Sequence, residues 1–183
     1  MQAGYQTFIG NTDNPLTESV GAILLQGLRL IERIDDATFT NGERGSTGTH
    51  LRHCLDFAVN FLQGLKIGQI DYGLRERNTK VETDRQEAIV RLASIVRELQ
   101  AVTRPDLEKP VMVRIEEVSS LTGRPEWASS SGLRELEFLQ SHTIHHFALI
   151  AYKLRALGIE VEEDFGVAPS TLKYWQEQKA NAA

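Results

Sequence analysis

Three of the chain's five histidines fall in the six residues Ser141-His142-Thr143-Ile144-His145-His146. This stretch sits inside a helical pattern that runs from about Leu133 to Leu157. Each residue of an α-helix advances about 100°, so His142 and His146, spaced i, i+4, return to one face a turn apart. On a helical wheel Leu139, His146, Leu149, Ile150 and Leu157 share an arc with His142, while Arg134, Glu137, Ser141 and Arg155 lie opposite. The first arc is the core-facing stripe of an amphipathic helix. His142 and His146 are therefore expected inside the stripe and His145 at its margin. Two readings follow: a pair of buried imidazoles satisfied by polar neighbours, or two ligands of one metal ion.

Three further segments carry the same period. The first opens at Asn14-Pro15, an N-cap followed by a proline at the first helical position. It continues through Leu16, Val20, Ile23, Leu24, Ile31 and Ile34, and should end near Asp35-Asp36. A polar loop with Asn41, Gly42, Gly45 and Ser46 follows. The second helix runs from near Ser46 to about Lys66, with Leu51, Cys54, Leu55, Ala58, Phe61, Leu62 and Leu65 on its apolar face. It bears the other two histidines, His50 and His53, three residues apart on neighbouring positions. On the wheel His50 lies nearer the centre of the apolar face than His53. The third helix is expected to start at Thr83, whose Gln86 partner suggests a capping box. Ala88, Ile89, Leu92, Ile95, Val96 and Leu99 form its stripe. Between the second and third helices, Ile67 to Val81 shows no helical period and reads as a long structured connection. Between the third and fourth, Val111-Met112-Val113-Arg114-Ile115 alternates like a strand, and Gly123-Arg124-Pro125 resembles a turn, so a small hairpin is expected there. Any of Ser129, Ser130 and Ser131 could cap the fourth helix and Gly158 could end it. A short helical segment follows Pro169-Ser170.

The expected fold is all-α: one domain, residues 1–183, built as a four-helix bundle with long connections that permit crossovers. Hydrophobic residues at 41% and charged residues at 25% suit a globular core. A net charge of −5 argues against a nucleic-acid-binding surface. No apolar run approaches a membrane span, and the N-terminus lacks the regions of a signal peptide. The one cysteine, Cys54, has no internal disulfide partner. These features together suggest a cytoplasmic protein.

Histidines confined to two apolar-faced helices fit a metal site between facing helices of a bundle. Such a site would take one histidine from the second helix and His142 and His146 from the fourth. Three neutral imidazoles bind a first-row divalent ion such as zinc, nickel, iron or copper, and leave positions open to water or substrate. Cys54 beside His53 reads as a small core residue rather than a nucleophile. Tyr72, Arg75 and Arg77 could receive an anionic group, or form a solvated charged loop. Asp56 could orient a histidine one turn away, and reads more simply as a solvated surface acid.

Two of these stretches resemble a known family. Ser46-Thr47-Gly48-Thr49-His50-Leu51-Arg52-His53-Cys54-Leu55-Asp56 is similar to the second-helix pattern of the DinB-like (DinB/YfiT-like) family, and His142-Thr143-Ile144-His145-His146 is similar to the HxxxH pattern on its last bundle helix. The likeness covers most of the chain from Asn14 to Leu157. It implies a four-helix bundle of DinB/YfiT-like topology with a metal held by His53, His142 and His146, and with His50 as an alternate ligand or a neighbour of the site. Zinc or nickel is expected before iron, and a low-molecular-weight thiol as a possible cosubstrate. Family members with assigned activities include thiol-dependent S-transferases, a mycothiol-dependent maleylpyruvate isomerase and the N-terminal domain of ergothioneine-forming sulfoxide synthases. The resemblance therefore implies a metal-dependent transferase or hydrolase acting on a small molecule, or a non-catalytic metal-binding or stress-related protein. It also implies a homodimer, and the apolar residues of the Val111 to Ile115 segment are read as contributors to its interface.

Overall fold

A computed structural model describes residues 14–42, 45–74, 78–114 and 126–181. The helix α1 (Pro15–Arg33) starts as its sequence dictates: the Asn14 side chain accepts from the Leu16 N–H at 2.9 Å, and Pro15 follows it. It ends at Arg33. The segment read as a polar loop contains a short helix, α2 (Asp36–Thr40), capped by Asp35, and buries Phe39 completely. The helix α3 (Thr47–Ile67) is capped by Ser46 and closed by Gly68, whose φ of 77° lies in the left-handed region.

The connection after α3 is partly regular. It holds a strand β1 (Gln69–Asp71) and a short helix α4 (Thr79–Thr83). The next long helix, α5 (Arg85–Gln100), corrects one expectation. Its N-cap is Asp84, whose carboxylate accepts from the N–H groups of Gln86 at 2.9 Å and Glu87 at 3.2 Å. Thr83 instead closes α4, donating its hydroxyl to the Thr79 carbonyl. Two adjacent residues both looked like caps, and the carboxylate, which also favours the positive end of the helix dipole, holds the position. A short helix α6 (Arg104–Glu108) follows, opened by a capping box of Thr103 and Asp106. Then come strands β2 (Pro110–Arg114) and β3 (Ala128–Ser131), the long helix α7 (Gly132–Ala156) and the helix α8 (Pro169–Asn181). Ser131 is the serine that caps α7, and Gly158, at φ 74°, stands just past its end.

The chain is mainly α-helical with a small three-stranded sheet in the order β1-β2-β3. β2 and β3 pair antiparallel, with Val111 opposite Ser130, as the alternating segment led one to expect. The turn expected at Gly123-Arg124-Pro125 lies outside the described residues. β1 joins β2 in parallel, with Ile70 opposite Val113; its crossover is the run from α4 to α6. Val111 and Val113 turn inward and are buried, while Met112 of the same segment is exposed; Ile115 lies outside the described residues.

The core sits among α1, α3, α5 and α7. α3 packs against α5 and α7, and α1 packs against the same two helices. The stripe of α7 is rotated from the one the wheel suggested. Its buried residues include Leu136, Leu139, Thr143, Phe147, Ile150, Ala151 and Leu154, whereas Leu149 and Leu157 are exposed. His142 and His146 consequently flank the stripe, half-buried, rather than lying within it, and His145 is exposed. Phe147 anchors this orientation. Its ring stacks on Phe165 at 4.9 Å and presses on Gly27 of α1, where a Cβ would meet the ring at 2.5 Å. Among the described residues no helix is long and apolar enough to cross a membrane.

The cap assignment has a direct test. Asp84→Ala should destabilise the protein by about 1 kcal/mol, and Thr83→Ala by less than about 0.5 kcal/mol. Urea unfolding of the two variants checks the ranking, and the reverse order would move the start of α5 back to Thr83.

Candidate metal centre

The packing of α3 on α7 brings together histidines that are 89 or more residues apart in the chain. His53 from α3 and His142 and His146 from α7 each offer a nitrogen, and these nitrogens all lie within 4.8 Å of one another. The ring centroids of His53 are 4.9 Å from His142 and 4.6 Å from His146, and the last two are 4.6 Å apart. A first-row ion bound by imidazoles at about 2.0–2.1 Å holds its donors at separations below this limit, so small side-chain adjustments suffice. These three residues could hold a metal ion.

His50 occupies a different place. Its Nδ1 lies 2.9 Å from Nδ1 of His146, a hydrogen bond in which one ring donates and the other accepts. Lys153, on α7, approaches the same side, donating to the carbonyls of Asn41 and Gly45. His145 is exposed, with its ring centroid 5.3 Å from that of His146.

The electrostatics keep His146 neutral. Burial comes first, followed by the neighbouring imidazoles of His142, His53, His50 and His145, and together they push its pKa down to about 3. His50 is lowered as well, by burial and then by Lys153 and His145. Neutral imidazole is the form that ligates a metal.

The other candidates read from the sequence are not among the three clustered nitrogens. Cys54 is fully buried and burial pushes its thiol pKa up, so no thiolate is available near the cluster. Asp56 is buried rather than a solvated surface acid, and pairs with Arg52 at 2.9 Å. Arg52 also holds Glu82 at 2.8 Å, and Glu82 accepts from Thr49, so this network ties α4 onto α3. Tyr72 is buried and donates to Glu135, so it does not face an anionic group at the surface. Arg75 and Arg77 lie outside the described residues.

Sequence reasoning missed the aromatic residues beside the cluster. Phe57 lies one turn from His53 and Phe138 one turn from His142, and both contact His142. Their i, i+4 spacing was a usable signal, because residues so spaced share a helix face. Tyr72 and Glu135 join only through the tertiary fold, and no spacing announces them.

Comparison with known proteins adds one relative. No family model matches the chain, and no solved structure matches it. The chain is similar to FK506-binding protein 5 of Rhizopus delemar, 33% identical over 109 residues, which is 60% of this chain and 28% of that protein. The chain thus spans little more than a quarter of the length of the curated relative it matches.

Because His146 binds no proton in the folded protein between pH 6.5 and about 3, while the unfolded chain does, folding loses stability as pH falls through that range. Thermal unfolding with a chelator present should show Tm dropping below pH 6.5, and His146→Gln should flatten the drop. An unchanged slope in the variant would show that His146 does not carry it.

Proposed function

We propose that His53, His142 and His146 bind one divalent transition metal ion per chain, and that the chain is a metal-dependent enzyme, either a thiol-dependent transferase or a hydrolase. The observation that carries this reading is the convergence of the three nitrogens within 4.8 Å. The donor chemistry fits: three imidazoles suit zinc, nickel, iron or copper rather than magnesium or calcium, which prefer oxygen ligands. The DinB-like resemblance puts zinc or nickel first, with iron next. Three protein ligands are the number a catalytic site uses while leaving a position for an exogenous group. An ion held there would supply Lewis acidity, which makes water or a thiol nucleophilic at neutral pH.

The chain's own residues prepare the site. With Nδ1 of His146 turned to His50, the lone pair free for ligation is on Nε2. That requires His146 to keep its Nδ1 proton and donate it to His50, so His50 selects the tautomer of a ligand. The low pKa of His146 holds it ready at physiological pH.

The same reading takes the four long helices as a four-helix bundle of DinB/YfiT-like topology. Their pairwise packing and the two motifs at Ser46–Asp56 and His142–His146 support it. A cytoplasmic homodimer acting on a small molecule completes the proposal. Sedimentation showing only monomer at micromolar concentration would remove the dimer.

Metal analysis of protein purified without an affinity tag tests the centre. One equivalent of metal is expected. His53→Ala, His142→Ala and His146→Ala should each abolish binding, His145→Ala should leave it intact, and His50→Ala should weaken it about tenfold or more. Retention of metal in both His142→Ala and His146→Ala ends the three-histidine reading. Thiol-transfer and hydrolysis assays on the loaded protein then separate the enzyme from a non-catalytic metal-binding protein.

A further inference from the structure

The ring of His142 packs against aromatic side chains. It stacks on Phe57, with centroids 4.2 Å apart and planes 24° from parallel. Phe57 in turn stacks on Tyr72 at 4.9 Å and 17°. Two rings cannot stack on one face, so Phe57 is sandwiched between His142 and Tyr72. The far end of the stack is pinned. Tyr72, 1% exposed, donates its hydroxyl to Glu135 at 3.1 Å, and Ser130 donates to the other oxygen of that carboxylate at 2.6 Å. Phe138 closes the side, its ring 5.4 Å from Tyr72 and 5.7 Å from His142. The stack crosses three parts of the fold: Phe57 on α3, Tyr72 beyond β1, and Glu135, Phe138 and His142 on α7.

Such an arrangement restricts one motion above others. An imidazole rotates readily about its last side-chain torsion, which is broad and has no deep wells. Turning the His142 ring out of its plane would drive it into Phe57. Phe57 cannot yield, because Tyr72 lies behind it and is held by a buried hydrogen bond that is costly to break. We propose that Phe57 and Tyr72 are positioning residues, and that this stack, anchored on Glu135, holds the His142 ring in the orientation that aims its nitrogen at those of His53 and His146. The inference rests on the reading of the three histidines as a metal site.

The test uses the full chain and zinc or cobalt(II) as the probe. Phe57→Leu keeps apolar bulk but loses the aromatic face, whereas Phe57→Tyr keeps the face. Phe57→Leu should weaken zinc about tenfold in competition with a chromophoric chelator and change the visible absorption of the cobalt-loaded protein. Phe57→Tyr should restore both. In metal-free protein, the ring protons of His142 should resonate upfield under the Phe57 ring current and return to ordinary positions in Phe57→Leu. Should Phe57→Leu fail to fold, Tyr72→Phe, which removes only the anchoring hydroxyl, is read the same way and should weaken zinc by a smaller factor. Wild-type affinity and an unchanged cobalt spectrum in these variants would overturn the positioning role while the metal site stood. If the wild-type chain binds no metal, the site reading falls by itself, and a His142 resonance indifferent to Phe57→Leu would overturn the stack as well.

Discussion

The contact between α3 and α7 is what the rest of this structure depends on. Each helix contributes apolar residues to the core and, at the edge of the same face, imidazoles. Burial of the apolar residues drives the association, at about 25 cal/mol for each Å² removed from water. The histidines gain nothing from that burial. They are carried into a partly dehydrated position because they share a helix face with side chains that do. Phe61, Leu65, Leu136 and Phe147 give the core its solid packing, and His53, His142 and His146 converge as a consequence.

Placing imidazoles there has a cost, and the surrounding structure is arranged to limit it. Four histidines near one another could not all carry protons, and the depressed pKa of His146 expresses this. Neutral rings can instead share a hydrogen bond, as His50 and His146 do, or stack on aromatic neighbours, as His142 does on Phe57. Both contacts also fix how the rings are turned. The site is therefore organised from two sides: by a hydrogen bond on the His146 side, and by an aromatic stack ending at Glu135 on the His142 side.

The smaller elements serve the same end. Glu82 at the end of α4 grips α3 through Thr49 and Arg52, next to the turn that bears His50 and His53. Gly48 allows this approach, since a Cβ there would lie 2.0 Å from the Glu82 carbonyl oxygen. Lys153 draws the Asn41 and Gly45 carbonyls toward α7 beside His50. The three-stranded sheet delivers Tyr72 and Ser130 to opposite oxygens of Glu135.

Much of this was legible in the chain alone. The period of the apolar residues placed four long helices, and local capping chemistry marked Asn14 and the Ser129–Ser131 run, because caps and amphipathic stripes are properties of a few adjacent residues. The i, i+4 histidine pair was visible for the same reason. The rotation of α7 was not: a wheel centred on His142 admitted Leu149 and Leu157, and only the neighbours Gly27 and Phe165, clamping Phe147, decided which arc is inside. The cap of α5 turned on a choice between Thr83 and Asp84 that depends on where α4 ends. β1, three residues long, is a strand only because β2 lies beside it. Between His50 and His53, which differ by about 60° in direction, the wheel and the family resemblance pointed opposite ways; the position of α7 brings His53 to the cluster and pairs His50 with His146, because which side of α3 faces α7 is a matter of tertiary packing.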